Sequence, residues 1–128
     1  MYKRQITSTS SGVVAPIPGL GLSNTLRSSL LGWSKTLARE LAPSGVTCNV
    51  IVPGRIATRR TSALDQAKAE REGKPAEQVA AESAASVPMG RYGEPGEYAA
   101  VAAFLASAGA SYVTGTVVRV DGGLVASI

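Results

Sequence analysis

An α/β fold with parallel strands is predicted by three features of the sequence. Val46, Val50, Ile51 and Val52 form a β-branched run of strand length, and residues 116–120 form another. Leu26, Leu30, Trp33, Leu37 and Leu41 recur at helical spacing between a turn and the first of these strands. The overall order is strand end, helix, strand, polar segment, helix, strand. Alternation of this kind implies parallel strands joined by right-handed helical crossovers. Only about three strands are counted, few for a sheet covered on both faces, so half a sheet is expected to be missing.

Composition narrows the function classes. The 128 residues suit one domain, and a chain that is 45% hydrophobic and 17% charged is globular. Aromatic residues make up only 5%, so Ala, Val, Leu and Ile must build the core. Net charge is +4, and setting Lys3 and Arg4 aside leaves no basic cluster dense enough for nucleic acid. The lone Cys48 reads as a small buried hydrophobe; with no intrachain disulfide, a cytoplasmic setting is expected. The apolar run 99–110 is too short to span a bilayer, and no signal peptide or metal site is expected. Tyr2-Lys3-Arg4-Gln5 after Met1 is what a sequencing-adapter end encodes when translated in frame. Residues 1–5 are therefore expected to be a non-native leader on a gene fragment.

Ile6-Thr7-Ser8-Thr9-Ser10-Ser11 reads as the last residue or two of a strand followed by a hydroxyl-rich turn. Residues 12–21 carry three glycines and two prolines and form a loop. Ser23 or Asn24 then caps a long helix that ends at Pro43-Ser44-Gly45. The strand over 46–52 runs out at Pro53-Gly54, because Pro53 has no N–H for a ladder. Ligands of parallel α/β sheets lie beyond the carboxyl ends of the strands, which is where the loop through Thr58 sits. Residues 59–85 are polar and read as two weak helices, near 62–72 and 75–84, with little apolar face. This poorly anchored segment is either a lid or a solvated surface hairpin, and 59–86 is assigned as a substrate lid. A last helix starts around Glu94-Pro95, with Ala100, Val101, Phe104 and Leu105 on its buried face. Asp121-Gly122-Gly123 turns out of the final strand.

Several ordered motifs then carry a resemblance over nearly the whole chain. They are Ile6-Thr7-Ser8, Leu37-Ala38-Arg39-Glu40-Leu41, Asn49-Val50-Ile51-Val52-Pro53-Gly54 with Thr58, Pro88-Met89-Gly90-Arg91 through Pro95 and Glu97, Thr114-Gly115, and Val120-Asp121-Gly122-Gly123. The chain resembles the C-terminal half of a short-chain dehydrogenase/reductase. The resemblance implies the C-terminal part of a Rossmann-like doubly wound parallel sheet, with the N-terminal nucleotide-binding half missing. Gly19-Leu20-Gly21 follows no strand and is not the Gly-rich turn of that half.

What the resemblance implies about chemistry is hydride exchange between a carbonyl or alcohol and NAD or NADP. A Ser holds the carbonyl oxygen, a Tyr exchanges the proton, and a Lys four residues later lowers the Tyr pKa and binds ribose. Ser8 takes the Ser place, with Ser10 a competitor two residues nearer the helix. Counting back from Gly32 and Arg39-Glu40-Leu41 puts Ser23 at the Tyr place and Arg27 at the Lys place. An aliphatic hydroxyl is far weaker as an acid than a phenol, and one cation does not close that gap. Arg27 retains the positional part of the role, binding ribose hydroxyls with a permanent charge. The implied nicotinamide contacts are Pro53, Gly54, Ile56 and Thr58. The expectation is thus a fragment of an NAD(P)-dependent oxidoreductase, inactive as given, whose parent is a homo-oligomer acting on a small molecule. The competing expectations are a catalytically silent binding or regulatory protein and a standalone small α/β interaction module.

Overall fold

The computed structural model describes residues 3–127, so Met1 and Tyr2 of the expected leader lie outside the described residues. Three strands, β1 (Arg4–Ser8), β2 (Thr47–Pro53) and β3 (Val117–Val120), form a parallel sheet in the order β1-β2-β3. Arg4 and Gln5 of the expected leader are the first two residues of β1. The central strand is the one with the β-branched run, and it is buried from Thr47 through Val52. Such a strand needs cover on both faces. Register places Ser8, Ile51 and Val118 side by side. Ile51 packs with Leu105 and Ala110, joined by Ile6, Tyr98, Val101, Val118 and Val120. That face belongs to α4 (Pro95–Ala106). Helix α1 (Gly21–Leu41) also packs on β2 but contributes nothing to this cluster. It therefore covers the opposite face, where Cys48, Val50 and Val52 point.

The leucine stripe of α1 is divided between the sheet and the solvent. Ser34 and Ala38 are the buried residues of the helix, with Leu30, Leu37 and Leu41 half-buried around them. Leu26 and Trp33 of the stripe, and Leu22 before it, are 62%, 50% and 76% exposed. A helix packs closely on β-branched side chains through its smallest residues, and the large ones sit at its flanks or outside. The helix also starts earlier than its expected cap. Its N-cap is Leu20, and Asn24 instead donates from Nδ2 to the Ile17 carbonyl at 3.0 Å. The turn after it closes at Gly45 in the left-handed region, φ 70°.

Asn49, 1% exposed, joins β2 to the segment leading into β3. Its Nδ2 donates to the Val113 carbonyl at 2.8 Å. Its Oδ1 accepts from Thr116 N at 3.2 Å and from Thr116 Oγ1 at 2.9 Å. Cys48 N donates to Thr114 Oγ1 at 3.1 Å and Gly115 N to the Cys48 carbonyl at 2.7 Å, so pairing continues below β3. Both lone pairs of the buried amide oxygen and one of the amide's two N–H groups are thus used. Between β2 and α4 lie α2 (Arg59–Glu72) and α3 (Ala76–Ala85), a helical hairpin. Among the described residues no helix is long and apolar enough to cross a membrane.

The structure corrects the expectation of a partial Rossmann-like sheet with its N-terminal part missing. An N-terminal strand and helix, β1 and α1, precede β2 among the described residues, and β1 joins it in a parallel sheet. Each β1 residue has a β2 partner, from Arg4 with Thr47 to Ser8 with Ile51. The reason is register: a strand read from the sequence as a one- or two-residue end runs back to Arg4, because β2 offers buried backbone along that whole length.

Asn49→Ala should destabilise the chain by about 1–3 kcal/mol, since it strands a buried N–H and a buried carbonyl. Urea unfolding measures this; a midpoint equal to wild type would show the clamp to be idle.

Candidate functional site

The loop leaving β2 is built by backbone contacts with two other segments. Gly54 N donates to the Val120 carbonyl at 2.9 Å, tying the ends of β2 and β3 together. A Cβ at Gly54 would lie 2.6 Å from Asp121 Cα and 3.0 Å from the Asp121 carbonyl oxygen, so only glycine fits. Gly93 N donates to the Arg55 carbonyl and Ala57 N to the Gly93 carbonyl, both at 2.8 Å, forming a short parallel bridge. Thr58 is the N-cap of α2, its Oγ1 accepting from Thr61 N at 3.3 Å. Thr61 Oγ1 donates to the Ile56 carbonyl at 2.6 Å. With that proton spent, the 3.2 Å contact between the two hydroxyls is donated by Thr58 Oγ1 to Thr61 Oγ1. Pro53, Gly54, Ile56 and Thr58 share one rigid turn at the carboxyl edge of the sheet.

At the end of β1 the two candidate serines part company. Ser8 lies on the α4 face, and its Oγ shares a 2.7 Å hydrogen bond with Tyr98 OH. Ser10 accepts from Gly12 N at 3.2 Å in the turn that leads toward α1. Gly12 sits between Ser10 and Asn24: a Cβ there would be 2.5 Å from Asn24 Oδ1 and 3.5 Å from Ser10 Oγ. Arg27 donates from Nε to Ser23 Oγ and from a terminal nitrogen to the Thr9 carbonyl, both at 3.3 Å. The structure thus brings Ser23 and Arg27 together with the Thr9–Ser10 turn, and puts Ser8 with Tyr98 on the other face. Gly19 lies in the turn before α1 and Gly21 is the first residue of that helix, and neither ends a strand.

The α2–α3 hairpin is not poorly anchored. Asp65, 5% exposed, accepts from Arg55 at 3.2 Å, from Tyr92 OH at 2.6 Å and from Ser83 Oγ at 3.5 Å. The Arg55 guanidinium lies 5.9 Å from the Tyr92 ring centroid. Burial, and then the hydrogen bond to the Asp65 carboxylate, push the Tyr92 phenol above its ordinary pKa. Sequence reading missed Asp65 because a single carboxylate in a charged helix has no spacing signature. Next to the loop is a cleft of about 520 Å³ lined by Ile56, Met89, Arg91, Glu97, Arg119 and Asp121, among others. Arg91 and Glu97 pair across it in a bidentate contact of 2.8 Å per bond. The Arg91 guanidinium, helped by the Glu94 N–H, holds the Glu97 carboxyl down to about 2.

The family model described as Enoyl-(Acyl carrier protein) reductase matches residues 3–125. The chain belongs to this short-chain dehydrogenase/reductase family. It is 39% identical over 127 residues to the 3-oxoacyl-[acyl-carrier-protein] reductase FabG of Vibrio cholerae, covering 97% of this chain and 48% of that protein. A short-chain dehydrogenase family protein from Francisella tularensis superposes with a TM-score of 0.92 at 23% identity, over 97% of this chain and 51% of that one, which shows the fold. YwfH, an NADPH dependent reductase, gives 0.90 at 32% identity over 96% of this chain and 47% of its own. The chain spans about half the length of the curated relatives it matches.

The family match corrects the identification as a mere C-terminal half and, with it, the expectation of an inactive fragment. The match runs from residue 3 through β1, α1 and every later element to 125. Inactivity had been inferred from the lack of an adenine and pyrophosphate site, and the match to reductases along the whole described chain overturns it. The readings as a silent regulatory protein, drawn from Ser23 at the Tyr place, and as a standalone interaction module are overturned by the same match.

Two outcomes are expected. Gly54→Ala should cost about 1–3 kcal/mol by forcing the Asp121 backbone away, read as a lower unfolding midpoint. The phenolate absorbance titration should contain a component displaced to high pH that vanishes in Tyr92→Phe. Because the folded pKa of Tyr92 is raised, its contribution to stability is present below the unfolded value near 10 and is lost as pH rises through the folded one. An unchanged titration in Tyr92→Phe would contradict this.

Proposed function

We propose that the protein is an NAD(P)-linked oxidoreductase acting on a carbonyl or alcohol, with a centre built on Ser23 and Arg27. The observation that supports this most is the Arg27–Ser23–Thr9 contact set at the carboxyl end of β1, the same edge of the parallel sheet at which the turn 53–58 leaves β2, in a chain of this family. The residues present fit the nicotinamide–ribose end of a dinucleotide. Arg27 would bind ribose hydroxyls, and the turn of Pro53, Gly54, Ile56 and Thr58 would hold the carboxamide, the Thr58 hydroxyl turning from Thr61 to donate to it. The bound dinucleotide supplies hydride. YwfH is described as NADPH dependent, and NADPH is the first dinucleotide to try.

Arg27 acts on Ser23 in a definite sense. Its Nε–H occupies a lone pair of Ser23 Oγ, which leaves the Ser23 proton to point at a substrate oxygen. Ser10, in the turn beside α1, is the second hydroxyl for that oxygen; Ser8 would serve only by giving up Tyr98. Such donors stabilise a developing alkoxide without ionising themselves. The final proton then comes from bound water or from the substrate. Residues 59–86 act as a lid over the substrate. The exposed stripe of Leu22, Leu26 and Trp33 supports self-association of copies.

The test is NADPH oxidation by the full chain with a 3-oxoacyl thioester, the substrate type named for the Vibrio cholerae relative. Arg27→Ala should lower kcat/KM about ten- to hundredfold, and Arg27→Lys should restore part of the loss. Thr58→Val should raise KM for the dinucleotide more than it lowers kcat. A wild-type chain that neither binds nor oxidises NADPH or NADH would overturn the proposal.

A further inference from the structure

We propose that Asp65 is a positioning residue that locks the α2–α3 hairpin to the turn 53–58, so that the two respond as one body. A carboxylate this deeply buried is costly unless charged and hydrogen-bonded partners surround it. None of its partners comes from α2. Arg55 belongs to the turn after β2, Ser83 to α3, and Tyr92 to the segment between α3 and α4. Tyr92 OH also reaches the Ala80 carbonyl, at 3.4 Å. The cost of burying Asp65 is offset only when all these segments meet.

Besides Asp65, only side chains at the start of α2 are bonded to the turn among the described residues, chiefly Thr61, whose hydroxyl donates to the Ile56 carbonyl at 2.6 Å. Helices α2 and α3 pack chiefly on each other, and their buried residues are Asp65, Ala69, Val79 and Ser83. Of these, Asp65 is the one bonded to both the turn and the 86–94 segment. The bonds meet the turn at a telling place. Arg55 and Gly93 exchange the backbone bridge that fixes Ile56 and Ala57, and Asp65 holds the side chains of Arg55 and of Tyr92, the neighbour of Gly93. A hairpin that swings away must therefore break the carboxylate's bonds and slacken the bridge. By reciprocity, whatever stiffens the turn stiffens the hairpin. That last step rests on the dinucleotide reading given above, whereas the lock itself does not.

Amide hydrogen exchange on the full chain tests both parts. Without ligand, Asp65→Asn should speed exchange about tenfold in residues 59–85 and, together with them, at the Ala57 and Gly93 amides. Tyr92→Phe, a milder change, should move both groups of amides in the same direction. Ala69→Gly loosens α2 without touching the lock and should speed the hairpin alone. Faster hairpin exchange in Asp65→Asn with Ala57 and Gly93 still at wild-type rates would overturn the proposal, as would no change anywhere. With NADPH added, hairpin amides should slow several-fold in wild type, while Asp65→Asn should slow only in the turn. Equal hairpin protection in both would also overturn it. A wild type that does not bind NADPH would sink the functional reading and leave the ligand-free result to decide the lock.

Discussion

A strand with no solvent face organises this molecule. Because β2 is buried from Thr47 to Val52, its polar groups depend on protein partners, and among its side-chain nitrogen and oxygen atoms only the Thr47 hydroxyl goes without one. Asn49 is answered by the backbone around Val113 and Thr116, which is what brings β3 alongside. The two faces demand two helical layers, and the small residues Ser34 and Ala38 let one of them come close. The strand can end only where its backbone escapes burial, at Pro53-Gly54. The turn that carries the candidate dinucleotide contacts is thus placed by the core rather than by its own sequence.

Around this turn the chain uses charge in two different ways. Arg91 and Glu97 are exposed and pair to cap a helix, an arrangement water could largely replace. Asp65 is buried, and its partners converge from separate segments. The first kind of pair trims a local structure; the second decides which segments belong together. Arg27 falls between these cases, half-buried and bonded to one hydroxyl and one carbonyl.

Much of this was legible in the residues. Strand β2, helix α1, the helical hairpin and strand β3 follow from β-branched runs, helical spacing and Pro/Gly punctuation, with bounds displaced by only a few residues. The displacement was nowhere larger than at the start of α1, whose cap is Leu20 rather than Ser23 or Asn24, while β1 reaches back two residues to Arg4 because a partner strand is beside it. The facing of α1 was not legible: Leu26 and Trp33 signal a helix, but which side meets a sheet depends on how closely the two approach. Spacing alone also left Ser8 and Ser10 equivalent. Two residues apart on an extended chain they share a face, and only the turn after Thr9 sends them to different neighbours. Asp65 and Tyr92 lie 27 positions apart and become partners only through the fold.

The close approach at Gly54 has a consequence for how such a chain can vary. The space for a side chain there is already filled by the backbone of Asp121, a residue 67 positions away in another strand's exit turn. Position 54 is therefore not free to drift by itself, whatever side chain stands at 121. A larger residue at 54 becomes admissible only with a rebuilt path after β3, so variation at 54 should be inherited together with a change in the length or course of that exit turn or not at all.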